Sequence, residues 1–413
     1  MTVTDCAELA LSRRRLLGLA GATAGLAVAE VAAPAMAFAS GPTTSDLLVV
    51  VTLSGGADGM TLVPPLHDHG YAAARPAVAV PASTAIPLDR HFGLHPGLRP
   101  LLPYWHRKEL AVVHAVGDSD GTRSHFEATA AMDRGVNLSS TVRTGWVDRL
   151  LTERGLRRGD FPALAIGART PGTLAGPAPA LSMWSVSDMR VQAADGRVPE
   201  AQRALHDMYA GLSGPVAAAG QQTLSSMRAF AQVRARDPKL TGHYPDDSLG
   251  ASLQQVAKVA RAGVGLQVAC VTGGGWDMHV NMGSAGSGYA HNHVGALGQA
   301  LAAFAHDLGP LLRTTTIVTV SEFGRRVAQN GSSGLDHGHG SAWLVLGGGI
   351  RGGRVYGRWP GLAPQLLDNG DLAVTTDYRD VLGEVAQRRL GMSDWRAVFP
   401  DHRPQPLGLA RQR

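Results

Sequence analysis

The chain has 413 residues, 44% hydrophobic and 17% charged, which is enough apolar material for a large core and excludes a disordered or fibrous chain. The net charge of +5 comes from arginines spread along the sequence. No lysine/arginine block supplies the basic patch that nucleic acid needs, so a mild attraction for anionic substrates is the most this charge supports. Only Cys6 and Cys270 are present, which excludes a cysteine-based zinc site, and Cys270 sits in the apolar run Leu266–Val271 as a core thiol.

The first forty residues read as an address. Ser12-Arg13-Arg14-Arg15-Leu16-Leu17 precedes a modestly apolar Ala/Gly/Leu run from Gly18 to Ala33, and Ala35-Met36-Ala37 follows as a small-x-small cleavage pattern. Paired arginines, a weak apolar core and an A-x-A site predict a twin-arginine signal over residues 1–39, with the twin-arginine translocase as partner and a periplasmic or secreted destination. The run is too rich in alanine and glycine for a membrane anchor, and no other run is long and apolar enough to span a bilayer. That route carries folded proteins and is compatible with a metal inserted before export.

From residue 41 to 413 the sequence predicts one domain. Ser45–Leu53, a continuous β-branched run, is the first buried strand; Glu109–Val116, Phe161–Ile166, Gly265–Thr272, Thr314–Ser321 and Ser341–Leu346 follow. Helical spacing fills Gly97–Arg107, Ser124–Arg134, Gly145–Arg154 and Tyr289–Leu308. Strands alternating with helices predict a three-layer α/β domain with a mostly parallel central sheet. Residues 199–262 carry helical spacing without strands, an insertion or a cap.

Ligands of open α/β sheets bind at the carboxyl ends of the strands, so the residues after each apolar run are the candidates. After the first run, Ser54-Gly55-Gly56-Ala57-Asp58 presents Asp58 either as a turn residue or as a ligand. After the second comes Arg123-Ser124-His125-Phe126-Glu127. Ser124 and Glu127 form a capping-box pattern, yet a hydroxyl at a helix start also sits where an anion is favoured, with Arg123 and His125 beside it to hold anionic oxygens. After the fourth, Gly273-Gly274-Gly275-Trp276-Asp277-Met278-His279 places a carboxylate and an imidazole two residues apart, able to reach one metal. After the fifth, Glu322 is costly at a strand end unless it binds metal or pairs with Arg325. Asp336-His337-Gly338-His339, before the sixth strand, is the densest cluster, with the donor types of zinc, manganese or iron sites.

In this order the motifs closely resemble the bacterial domain of unknown function 1501 family, which carries L-x-G-G-x-D-G, S-H-F-E, W/F-D-x-H, S-E-F-G-R and D-H-G-x-G. That family is similar in turn to the alkaline phosphatase and sulfatase superfamily. The resemblance implies an alkaline-phosphatase-like fold with Asp58 as first-strand metal ligand and Ser124 as nucleophile. It makes Asp277 and His279 one metal pair, puts Glu322 in place of an aspartate, and makes His337 or His339 the last histidine. Residues 375–382 look like the closing segment of that fold. The chain departs from the superfamily in having Glu322-Phe323 where an Asp-His dipeptide is usual, and in lacking a Cys-x-Pro-x-Arg sulfatase signature.

The expected activity is hydrolysis of phosphate or sulfate esters on an anionic small-molecule or polymer substrate. It would use one or two divalent ions, zinc or manganese, and Ser124 or a metal-bound water as nucleophile. Arg325 or Arg123 would bind the non-bridging oxygens. The alternative is a non-catalytic periplasmic binding or assembly protein that kept the fold and lost the chemistry.

Overall fold

A computed structural model describes residues 46–155, 162–167, 169–178, 180–191, 193 and 197–413. The export segment read over residues 1–39 lies outside them. Nine strands form one sheet: β1 (Leu47–Leu53), β2 (Leu110–Gly117), β3 (Ala163–Ile166), β4 (Ala180–Met183), β5 (Val268–Gly273), β6 (Thr315–Val320), β7 (Ser341–Leu346), β8 (Val355–Tyr356) and β9 (Thr376–Asp377). Their order is β8-β2-β7-β6-β1-β5-β3-β4, with β9 also on β2. All pairings are parallel except those of β7, which runs antiparallel to both β2 and β6. Helices α1 (His125–Arg134), α2 (Trp146–Glu153), α3 (Val198–Ala210), α4 (Pro215–Arg236), α5 (Ser248–Arg261), α6 (Tyr289–Leu308) and α7 (Tyr378–Leu390) complete the framework.

The period-two geometry of β1 explains the three layers. Leu47, Val49, Val51 and Leu53 point into one core with Val256 of α5 and Leu297, Leu301 and Phe304 of α6. Leu48 and Val50 point into the other, with Trp146 and Leu150 of α2 and Val381 and Val385 of α7. A strand buried on both faces has no polar positions to spare, which is why it reads as an unbroken apolar run. Residues 198–261 carry α3, α4 and α5; α4 buries Phe230 and Val233 in the first core.

Three features depart from the sequence expectations. The helix expected over 97–107 is a 3-10 turn, Pro96–Leu101, followed by a short α-turn, Leu102–His106, because Pro100 and Pro103 cannot donate to a continuous ladder. Strand β7 is antiparallel, so the loop from β6 to β7 begins and ends at the same edge of the sheet and never leaves it. Helix α7 is almost wholly buried despite its charges. Each charge has a partner: Arg379 with Asp377 at 2.6 Å, Asp380 with His402 at 2.6 Å, Arg389 with Asp46, and Glu384 with the backbone of Leu407, Gly408 and Ala410. A buried helix whose charged residues are paired in this way has no amphipathic stripe to read. No described helix is long and apolar enough to cross a membrane.

His114 is buried inside β2; its Nε2 donates to the Val63 carbonyl at 2.9 Å and its Nδ1 accepts from the Ala115 amide at 2.9 Å. Burial pushes its pKa from 6.5 down to about 4, against the smaller opposing effect of the Val63 hydrogen bond. The unfolded chain therefore binds a proton below pH 6.5 that the folded chain refuses, and stability is lost as pH falls through that window. We expect urea unfolding to show a loss of about 2 kcal/mol from this group between pH 7.5 and 5, and a shallower profile in His114→Gln. Equal slopes in the two proteins contradict the assignment.

Candidate metal centre

The strands that border the site end level with one another: Leu53 of β1 is in register with Gly273 of β5, and Thr52 with Val320 of β6. The loops that follow are joined by backbone hydrogen bonds. The Gly324 amide bonds the His339 carbonyl at 2.7 Å and the Arg326 amide the Asp336 carbonyl at 3.0 Å, so Arg325 and His337 face each other across a short bridge. The Leu335 amide bonds the Met278 carbonyl at 2.9 Å and ties in the segment after β5. Close approach requires glycine at two points. A Cβ on Gly55, at φ +118°, would lie 2.6 Å from the Asp277 nitrogen, and one on Gly338 would lie 2.4 Å from the Arg325 carbonyl carbon.

Through these loops four acceptor atoms meet. His337 Nε2 lies 3.1 Å from His125 Nε2, 3.0 Å from His279 Nε2 and 3.1 Å from Asp277 Oδ1. Asp277 Oδ1 is also 2.9 Å from His279 Nε2 and 3.6 Å from His125 Nε2. Among the described residues one group of potential ligands has all its atoms within 4.8 Å of one another: His125, Asp277 and His337. His279 adjoins this group at its Asp277–His337 edge.

The outer nitrogen of each ring decides its tautomer. His337 Nδ1 is 2.8 Å from the Arg123 carbonyl, an acceptor, so Nδ1 carries the hydrogen. His125 Nδ1 is 2.8 Å from the Glu322 carboxylate, whose same oxygen also accepts the Gly55 amide at 2.8 Å. His279 Nδ1 is 3.1 Å from Asp336, and hydrogen bonds from Asn330 and His279 hold that carboxyl below the usual range. All three Nε2 atoms of neutral rings are then lone pairs. Lone pairs about 3 Å apart repel unless a cation lies among them, and a tetrahedral ion with bonds of about 2.0–2.1 Å spaces its ligands by a similar distance. The donor set of imidazole and carboxylate suits zinc or manganese, so these residues fit a divalent ion.

The buried Arg325 presses on the same point. Its Nη2 donates to Asp277 Oδ1 at 2.6 Å, and its Nη1 lies 3.4 Å from His279 Nε2. Its remaining hydrogens go to the carbonyls of Gly55, Gly56, Trp276 and Leu335. Burial alone would raise the Asp277 carboxyl; the hydrogen bonds from Arg325 and His337, together with the charge of Arg325 and the neighbouring His279, outweigh it and bring the group down to about 2.

The other residues singled out from the sequence stand apart from this group. Asp58 is buried and gives both oxygens to Arg75, one of them at 3.0 Å, while the same guanidinium donates to the Val327 and Arg326 carbonyls at 2.8 Å. Burial would raise the Asp58 pKa, but Arg75 brings it below its ordinary value. His339 turns away to Asp368 at 2.6 Å. The Arg123 side chain pairs with the fully buried Asp371, leaving only its carbonyl at the site. Ser124 is the N-cap of α1, accepting from the Glu127 amide. Glu322 lies behind His125. The Phe323 ring packs 4.8 Å from those of both His125 and His337. Arg75 and Asp371 carry no motif, and sequence reasoning missed them because a partner is visible only when the chain is folded.

The family model for a protein of unknown function, DUF1501, matches residues 111–400. The chain belongs to this family. No curated protein matches the chain. Solved structures similar to it include the PsFucS1 sulfatase from Pseudoalteromonas sp., at 12% identity and a TM-score of 0.37, covering 89% of this chain and 74% of that one. The C-terminal periplasmic domain of EcEptC from Escherichia coli, in complex with zinc, is 10% identical with a TM-score of 0.35 and covers 76% of each chain. A protein in the alkaline phosphatase superfamily from Vibrio parahaemolyticus is 10% identical with a TM-score of 0.33, covering 76% of this chain and 62% of that one. These likenesses are distant.

The Asp58–Arg75 pair and the cluster respond differently to substitution. Asp58→Ala leaves a buried guanidinium without its counter-ion and is expected to lower unfolding stability by about 3–5 kcal/mol. Where the variant remains folded, zinc affinity measured by competition with a chromophoric chelator should stay within about threefold of the parent, a change near 0.6 kcal/mol. A tenfold loss of affinity in a folded Asp58→Ala protein would mean that Asp58 contributes to the ion site.

Proposed function

We propose that this chain is an exported hydrolase of phosphate or sulfate esters that works with a single divalent ion. The observation that carries the reading is the convergence of three imidazole lone pairs and one carboxylate oxygen, each ring oriented by an acceptor on its far nitrogen. His125, Asp277 and His337 are the ligands. A bound ion supplies Lewis-acid stabilisation of charge and makes water acidic enough to attack at neutral pH. One ion is favoured over two because the Arg325 guanidinium already sits on Asp277, and Asp58, a ligand in a two-ion arrangement, is consumed by Arg75.

His279 has the second role. Its Nε2 faces the cluster, and Asp336 holds the hydrogen of its Nδ1 and stabilises the imidazolium that forms when Nε2 takes a proton from the attacking water. That proton then serves the leaving oxygen. Ser124 is not needed as a nucleophile, because its hydroxyl is occupied in capping α1. Arg325 and Arg123 are committed to protein acceptors, and they orient Asp277 and His337 without touching the ester. The twin-arginine pattern at residues 12–17 supports delivery of the folded protein to the periplasm or the exterior by the twin-arginine translocase.

The test separates ligand, base and cap. His125→Ala and His337→Ala should lose stoichiometric zinc or manganese together with turnover of aryl phosphates and sulfates. His279→Gln should keep the ion and lose turnover by roughly 10²–10⁴-fold, while Ser124→Ala should retain most activity. Binding of two ions per chain, or abolition of turnover by Ser124→Ala with the ion retained, contradicts this assignment.

A further inference from the structure

Beside the cluster runs an open groove of about 560 Å³, which His125, Asp277 and Glu322 join to the candidate metal centre. One wall is the outer face of α1, where Phe126 leaves 90% of its surface exposed. The other wall is backbone, Gly55, Gly274 and Gly275. Phe126 is held there by the first turn of α1, in which Ser124 caps the helix and Thr122 donates to Glu127 at 2.8 Å. Phe126 and these glycines line the same groove, and a flat body suits such a lining, since a ring stacks on an aromatic face and lies close against glycine.

The charge of the groove narrows the choice further. No lysine or arginine lines it, and its ionisable side chains beyond the histidine are Asp133, Asp277 and Glu322. Asp277 and Glu322 are engaged by Arg325 and His125 at the metal centre, so away from it a polymer carrying several anionic groups would meet Asp133 and no counter-charge.

We propose that the groove is the leaving-group subsite, and that it takes an uncharged, flat, ring-bearing alcohol whose single anionic ester lies at the His125–Asp277 end. This rests on the hydrolase reading for the ester, but the slot itself is testable without it. The inference replaces the broad class of anionic small molecules or polymers with monoesters of neutral ring alcohols. Phe126 stacks on the ring, and the glycines leave room for it. A Cβ added at Gly274 meets nothing within 4 Å, so Gly274→Leu fills the slot without pushing on the fold.

The direct probe is 2-naphthol, neutral at pH 7 and fluorescent, titrated into the full folded chain with and without zinc. Saturable binding is expected in both conditions, weakened at least tenfold in Phe126→Ala and in Gly274→Leu, with melting temperatures unchanged. Absence of saturable binding to the parent, or parent-like binding in both variants, overturns the proposal. A second arm titrates a linear polyphosphate as competitor; displacement of 2-naphthol at lower concentration than 2-naphthyl phosphate requires also overturns it. If 2-naphthol binds as expected but 2-naphthyl phosphate is never hydrolysed by metal-loaded protein, the hydrolase reading fails and the ring subsite stands.

Discussion

The buried guanidinium of Arg325 is the interaction on which the site depends. It reaches the loop after β1 through the Gly55 and Gly56 carbonyls, the loop after β5 through Trp276 and Asp277, and its own loop through Leu335. Three segments far apart in sequence are thereby fixed to one cation that has almost no contact with water. A buried charge of this kind is tolerated only when every hydrogen has an acceptor, and that demand dictates where the loops lie. The antiparallel β7 makes the arrangement possible, because it returns the 321–340 loop to the edge it left.

The same cation shapes the chemistry. It holds Asp277 ionised and supplies positive charge next to the cluster, which lessens the need for a second ion. Behind each histidine stands an acceptor that sets its tautomer: Glu322, Asp336 and the Arg123 carbonyl. Arg123 is in turn anchored by Asp371, and Asp58 serves the wall of the site through Arg75. Residues that read as candidate ligands or substrate binders in the sequence thus divide into a small group around a point and a larger group that orients it.

Much of the fold was legible because its main strands are buried on both faces and announce themselves as apolar runs. Ser45–Leu53 and Ser341–Leu346 are within two residues of β1 and β7. The direction of β7 was not legible, since a buried strand looks the same either way. Helix α7 was hidden by paired charges such as Glu384 and Arg389. At the site, the crowding of Asp277, His279, Asp336 and His337 at strand ends was visible, because glycines flank polar residues there. What could not be read was the pairing. Asp58 and His339 have the composition of ligands, and only folding brings Arg75 to the one and Asp368 to the other. His125 was read as an oxyanion contact beside Ser124; its ring swings into the cluster because Glu322 accepts from its outer nitrogen.

The central claim is that one divalent ion belongs among His125, Asp277 and His337. Crystals of the full folded chain grown with zinc, measured on either side of the zinc absorption edge, test it most directly. The account predicts a single anomalous peak bounded by the Nε2 atoms of His125 and His337 and by Asp277 Oδ1, with His279 beside it. A second peak near Asp58 or His339, or no peak in the cluster at saturating zinc, contradicts it.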